Sequence, residues 1–252
     1  MKYETILVIP DTQNEHGKSV QHWYYAGCVA RDWEVDCTIH MGDCNDHLAT
    51  SRFDLDKPKL VGTRSIAKDY EIEYKANDLF HEGLSSHSCR LVMLEGNHDI
   101  RPRLYAQRVP AVEEIVQRYE SARRDLGWEV ITYQEPISIS GVWYSHMFVR
   151  TTTGKVSARS VRSGASSAKA QLQANLASCT AGHIPGFDYA EFPTQKGQKQ
   201  SMIVGSYYPH YQAYSGPQGN KHWNGLIVKH MTAPGQYDFE RISLKRLKRM
   251  YG

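Results

Sequence analysis

Three apolar runs in this chain end on oxygen- or nitrogen-bearing side chains. Ile6-Leu-Val-Ile9 passes through Pro10 to Asp11 and Gln13; Cys37-Thr-Ile-His-Met41 leads into Gly42-Asp43; Arg90 to Glu95 leads into Gly96-Asn97-His98-Asp99. Two histidines of the second half have the same placement: His146 closes Val142 to Ser145, and His183 follows Ala181-Gly182. Taken singly, each has a blander reading, since strand-end aspartates often cap helices, Gly-Asp and Gly-Asn are common turns, and a lone histidine is usually a surface or satisfied core residue. Taken in order, at strand ends, they read as one donor set. Two carboxylates, an amide oxygen and two imidazoles suit a divalent cation such as Mn²⁺, Mg²⁺, Fe²⁺, Zn²⁺ or Ni²⁺, without any thiolate. One carboxylate can bridge two such ions, an arrangement that clamps a phosphate and activates water for in-line attack.

Such a site needs strands whose carboxyl ends lie side by side, because loops diverge there and leave a crevice. The first half reads as β-α-β-α-β: apolar residues recur at helical spacing over about Ser19 to Trp33 and Ile66 to Leu84, and again from Val112 to Leu126. The second half is mostly β, with a hairpin around Ser140-Gly141 and runs at Met202 to Tyr207, Leu226 to His230 and Tyr237 to Ile242. A helix with a loose start is expected between Val156 and Ala177. The polar stretch from about 45 to 65 has no clear period and reads as a long loop or small cap insertion. No repeat or linker divides the chain, so 1–252 is expected to be one domain of α/β class.

Composition limits the function classes. The 252 residues are 40% hydrophobic, enough for a sizeable core. Apolar runs are far shorter than the ~20 residues of a membrane span, and the N-terminus lacks a leader pattern, so a cytoplasmic protein is expected. Five cysteines, an odd number without a C-x-x-C pair, read as reduced thiols. The net charge of +3 is too small to imply nucleic-acid binding by itself. The basic tail at 244–252 reads as a solvated helix in preference to a phosphate contact.

Asp11-x-Gln13, Gly42-Asp43-x-x-Asp46, Gly96-Asn97-His98-Asp99, His146 and Gly182-His183 together resemble the ordered signature of calcineurin-like metallophosphoesterases: D-x-H, G-D-x-x-D, G-N-H-D/E, H and G-H-x-H. The resemblance covers about residues 5 to 187, and Gly216-Pro-Gln-Gly-Asn-Lys-His-Trp223 with Gly225 to His230 looks like the small enzymes of tailed bacteriophages, which would act in the host cytoplasm. It implies a four-layer α/β/β/α sandwich, a dinuclear centre with Mn²⁺ foremost, and phosphoester hydrolysis. Residue by residue, it implies that Asp43 bridges both ions, that Asn97, His146 and His183 complete one site, and that Asp11 and position 13 serve the other. It also implies that His98 contacts the phosphate and protonates the leaving oxygen, with Asp99 orienting it and Asp46 supporting the loop.

Two positions depart from that pattern: Gln13 and Pro185 stand where the family has histidines serving the same metal. A neutral amide is a harder, weaker ligand than imidazole, so that site is expected to favour Mg²⁺ or Mn²⁺ and to hold its ion less tightly. The alternatives are a substitute histidine, with His210 foremost and His16 or His47 behind it, a second ion arriving with substrate, or a one-ion enzyme. The expected substrate is a phosphate ester, a nucleotide or a nucleic-acid end. Arg52 and Arg64, with Lys57 and Lys59, are candidate phosphate contacts, with a solvated charged loop equally good as an explanation. Tyr207, Tyr208, Tyr211 and Tyr214 near Trp223 are candidate base-stacking residues, or else a tyrosine-rich core edge. The rival functions are a nuclease of the same fold and a non-catalytic phosphate-binding protein; no membrane partner is expected.

Overall fold

The computed structural model describes residues 4–52, 64–149, 151–152, 155–156, 167–195, 197–212 and 221–252. Alternation within β1 (Thr5–Ile9) explains the architecture, because Ile6 and Val8 point to one face of the strand while Leu7 and Ile9 point to the other, and all four are fully buried. A strand apolar on both faces must be covered on both. β1 is followed by α1 (His22–Asp32), β2 (Cys37–His40), a 3₁₀ turn at Leu48–Thr50, α2 (Ile66–Leu84) and β3 (Arg90–Leu94). Next come α3 (Arg101–Ala106), a 3₁₀ turn at Pro110–Val112, α4 (Glu113–Arg124) and β4 (Glu129–Ile131). The second half holds β5 (Ile137–Ile139), β6 (Val142–Ser145), β7 (Thr151–Thr152), β8 (Lys155–Val156), α5 (Ala168–Asn175), β9 (Cys179–Ala181), β10 (Phe187–Thr194) and β11 (Gly197–Val204). It closes with β12 (Gly225–Ala233), β13 (Gln236–Ser243) and α6 (Leu244–Tyr251).

The fold is mixed α/β with two mixed sheets. The first runs β13-β12-β1-β2-β3-β4, with β1 to β4 parallel and the β12-β13 hairpin antiparallel; the second runs β10-β11-β9-β6-β5, with β9 parallel to both neighbours. Leu7, Ile9, Met93, Leu226 and Val228 pack against Trp23, Ala26, Val29, Ala76, Phe80 and Leu247 of the helices. Ile6, Val8, Ile39, Val92 and Leu94 meet Val142, Tyr144, Met202 and Val204 of the second sheet. Each such large apolar side chain removed from water contributes roughly 1.5–3 kcal/mol.

The expected α2 coincides with the observed one, and the Ser140-Gly141 hairpin is present as β5-β6. Five strands escaped the sequence reading, among them β7 and β8 of two residues each. β4 and β9 are three residues each, too short for a period, and β10 carries Asp188, Glu191 and Pro193 on a largely exposed edge. The helix expected from Val156 starts at Ala168, where Ser167 Oγ accepts the Ala170 N–H at 3.2 Å; residues 157–166 lie outside the described residues, as do 53–63 of the expected insertion. The basic tail is a helix with Leu244 and Leu247 buried and its lysines and arginines exposed. Among the described residues no helix is long and apolar enough to cross a membrane.

Candidate metal centre

Register brings the loops together. Ile9 pairs with His40, and His40 with Met93, so the segments carrying Asp11, Asp43 and Asn97 leave the first sheet at one level. In the second sheet Tyr144 pairs with Thr180 and Ser145 with Ala181, so His146 and His183 emerge together as well. Glu95, just before Gly96, accepts both terminal nitrogens of Arg103 at 2.5 and 2.6 Å, which holds the point where the Asn97 loop departs.

Four donors meet there. Asn97 Oδ1 lies 3.1 Å from His146 Nε2 and 2.8 Å from His183 Nδ1, and His146 Nε2 lies 3.5 Å from Asp43 Oδ1. Asp43, His146 and His183 each offer a ligand atom within 4.8 Å of the others, the only such group of three or more among the described residues. His146 Nδ1 stands 2.8 Å from the Met41 carbonyl, which can only accept, so the ring proton sits on Nδ1 and Nε2 keeps its lone pair. That lone pair faces the Asn97 and Asp43 oxygens, acceptor toward acceptor, a set that a cation satisfies and that fits a divalent ion of borderline softness. Burial pushes His146 down to about 4 against the opposing pull of Asp43, so the imidazole is neutral and ligand-ready at neutral pH.

The carboxylates are buried side by side. Burial and the neighbouring Asp43 raise Asp11 well above the usual carboxylate range, although the His183 N–H lies 3.2 and 3.1 Å from its two oxygens. Burial would raise Asp43 also, but His146, His98 and the His98 N–H, which donates to Asp43 Oδ1 at 2.8 Å, outweigh it and hold Asp43 below that range. Gln13, Asp43 and His183 have φ of 40°, 50° and 67°, strained values for side-chain-bearing residues, as functional loops often show. A Cβ on Gly96 would sit 2.1 Å from Asp43 Oδ1, so only glycine lets the two loops approach this closely.

Around Asp11 the donor set is thinner. Gln13 is buried, and its N–H donates to the Asp43 carbonyl at 2.8 Å. The substitute histidine is not supplied by the described residues: His210 Nε2 lies 3.0 Å from Gln212 Nε2 with its ring against Tyr208, His16 is exposed, and the buried His47 packs edge-on to Tyr70. None of the three joins the Asp43 group.

The carboxylate beside His98 is not the one expected. Nδ1 of His98 is 2.7 Å from Asp46 Oδ1, and Nε2 is 3.8 Å from Asp43 Oδ2. Asp99 instead uses its two oxygens to accept the Cys44 N–H at 3.1 Å and the Gly96 N–H at 2.8 Å, tying two metal loops together. Arg101 in turn holds Asp46, donating to its carbonyl at 2.6 Å and to Oδ1 at 3.1 Å.

A second brace was missed in the sequence. His40 Nδ1 accepts the Gly42 N–H at 3.2 Å, so Nε2 donates to Thr12 Oγ1 at 3.0 Å, which donates to the Cys44 carbonyl at 2.9 Å. The ring stacks on Trp23 at 5.1 Å, and a histidine closing an otherwise apolar strand was its signal. Arg64 donates to the Leu48 carbonyl at 2.9 Å and so braces its own loop, while Arg52 is exposed on the turn after Leu48–Thr50. Tyr207 and Tyr208 are buried, with Tyr207 donating to the His22 carbonyl at 2.6 Å, so they belong to the core edge; Tyr211 is exposed. Lys57, Lys59 and Tyr214 lie outside the described residues.

No family model matches the chain, and a search of curated proteins returns no match. Among solved structures, one crystal structure aligns over 96% of this chain and 100% of its own at 11% identity and a TM-score of 0.46, too loose a likeness to carry an argument.

Proposed function

We propose that this protein is a metal-dependent phosphoesterase of the calcineurin-like type, a four-layer α/β/β/α sandwich that hydrolyses phosphate mono- or diesters, with nucleotides or nucleic-acid ends as substrate class. The observation that carries this reading is the meeting of Asp43, Asn97 Oδ1, His183 Nδ1 and the unprotonated Nε2 of His146 at one point, beside a histidine whose ring lies against a carboxylate. Those four residues would hold one divalent cation, Mn²⁺ foremost; Asp11, Asp43 and Gln13 would hold a second more weakly. The bound cations supply charge stabilisation at the phosphoryl oxygens and a nucleophilic water at neutral pH.

The protein's own contribution is placement and a proton. Water adds to phosphorus as the ester P–O bond breaks, and the departing oxygen takes a proton from His98 Nε2. Asp46 Oδ1 lies 2.7 Å from the other ring nitrogen, where its charge compensates that of the imidazolium. A non-catalytic phosphate binder has no use for that pair.

The test is hydrolysis of alkyl and nucleotide esters and of labelled DNA in Mn²⁺, Mg²⁺, Zn²⁺, Fe²⁺ and Ni²⁺. Asp43→Asn abolishes turnover, and His98→Ala lowers it by about 10²-fold or more. Wild-type inactivity with every metal and every substrate would overturn the reading.

A further inference from the structure

Arg241 is an exposed cation without an anion. It sits on the edge strand β13, and among the described residues its guanidinium has no ion pair and no hydrogen bond. Its contacts are two aromatic rings: the guanidinium carbon lies 4.0 Å from the centroid of Phe187 and 4.6 Å from that of Trp223. The adjacent acid, Glu240, is engaged with His230 at 3.1 Å. The two rings meet edge to face, 5.7 Å apart at 66°, and the guanidinium rests against both, which restrains it while leaving N–H groups free to bond a phosphate.

Its place in the fold relates it to the metal centre. Trp223 packs on the loop that carries His183: a Cβ on Gly205 would lie 3.5 Å from Trp223 Cε3, 3.2 Å from the Pro185 carbonyl and 3.4 Å from the Phe187 nitrogen. Arg241 pairs with Ile227, and Ile227 with Val8, three residues before Asp11. Strand geometry puts the Arg241 and Asp11 backbones about 14 Å apart, from about 10 Å along the strands and about 10 Å across two strand spacings. That is too far for the phosphate being cut and suitable for another phosphate of the same molecule.

We propose that Arg241, resting against Phe187 and Trp223, anchors a second phosphate of the substrate, so that the preferred ester carries at least two phosphates. This inference rests on the phosphoesterase reading for what happens at the cut bond, but not for the binding itself. A polynucleotide and a nucleoside polyphosphate share this chemistry, and the substrates tested separate them.

The experiment compares wild type, Arg241→Ala and Arg241→Lys on three substrates in Mn²⁺: bis-p-nitrophenyl phosphate with its single phosphate, an oligothymidylate, and a nucleoside triphosphate. Arg241→Ala raises KM about 10-fold or more for whichever multi-phosphate substrate is the true one, leaves kcat near wild type, and leaves the single-phosphate ester unchanged. Arg241→Lys falls between, because it keeps the charge and loses the fork. In a parallel measurement in EDTA, fluorescence anisotropy of labelled oligothymidylate and quenching of Trp223 by the triphosphate report binding without turnover. There Arg241→Ala weakens binding and, for the oligonucleotide, reduces the salt dependence by about one counterion. Equal effects on all three substrates, or none on any, would sink the anchor while hydrolysis stands. Arg241-dependent binding in a wild type that hydrolyses nothing would sink the phosphoesterase reading and leave the anchor standing. Thermal unfolding of each variant at the wild-type midpoint confirms that a lost contact, not a lost fold, is being read.

Discussion

His98 and Asp46 are in direct contact, with Nδ1 2.7 Å from Oδ1, and Arg101 donates to that same oxygen at 3.1 Å. The neighbouring Asp99 is spent on two backbone N–H groups. On the proposed mechanism, Asp46→Asn weakens proton donation without touching Asp43, Asn97, His146 or His183. Its kcat on an alkyl phosphate ester falls about 10–100-fold, as for other outer partners of site residues. The loss is much smaller on a p-nitrophenyl ester, whose leaving group needs no proton. Equal losses on both esters would assign Asp46 a structural role only.

Gly96 is where the Asp43 and Asn97 loops touch. In Gly96→Ala the new methyl carbon would fall 2.1 Å from Asp43 Oδ1, so the carboxylate must move. The expected outcome is loss of Mn²⁺ binding by calorimetry, with far-ultraviolet circular dichroism like that of wild type. Wild-type affinity in this variant would show that the two loops are not held at the distance described.

Lys229 lies fully buried between the sheets, its Nζ bonded to Thr180 Oγ1 and 4.1 Å from the Tyr237 ring centroid. Burial lowers it well below the usual lysine range. An amine that folds neutral but is charged when unfolded costs stability below pH ~10 and less as pH rises. Lys229→Met removes that cost, which amounts to about 1.4 kcal/mol for each unit by which the folded value is lowered. The variant melts several degrees higher at pH 7, and the gain shrinks toward pH 10; a lower Tm would mean that the Thr180 and tyrosine contacts outweigh the desolvation.

His22 is the acid-sensitive point of the helix-facing core. Both ring nitrogens lack a hydrogen-bond partner among the described residues, the ring packs edge-on to Tyr207 at 5.1 Å, and burial pushes its pKa down to about 3, with His210 and His40 adding to the shift. Because the folded value is lowered, the unfolded chain takes up the proton first as pH falls through about 6.5, and stability drops from there toward pH 3. Asp69 acts the other way: burial raises it to about 6, so its share of stability grows on acidification. His22→Phe isolates the histidine, gaining up to about 3 kcal/mol relative to wild type between pH 6.5 and 4, at about 1.4 kcal/mol per unit. An unchanged difference between the two proteins across that range would mean that His22 finds a proton acceptor.

The strand-end residues were legible because the types that ligate cations and the apolar runs that deliver them are both local properties. Asp11, Asp43, Asn97, His146 and His183 could be ranked from position alone. α2 was legible to the residue, since nineteen residues carry enough turns to show a period. Short strands were not: three residues of β4 or β9 are stabilised by neighbours the local sequence does not contain. Spacing equally could not tell Asp46 from Asp99, because which carboxylate reaches a ring depends on loop paths that Gly42, Asp43 and His47 bend through positive φ.

The sequence by itself determined the α/β class and showed the polar residues that close its strands. The tertiary structure decided how those donors meet, because four of them come from two sheets, and only sheet-on-sheet packing sets the distance between the ends of β3, β6 and β9. It also decided what surrounds Lys229, and it brought Phe187, Trp223 and Arg241 into one cluster. Side chains that far apart along the chain become neighbours through burial of the apolar faces between them, and that energy is shared by the whole core.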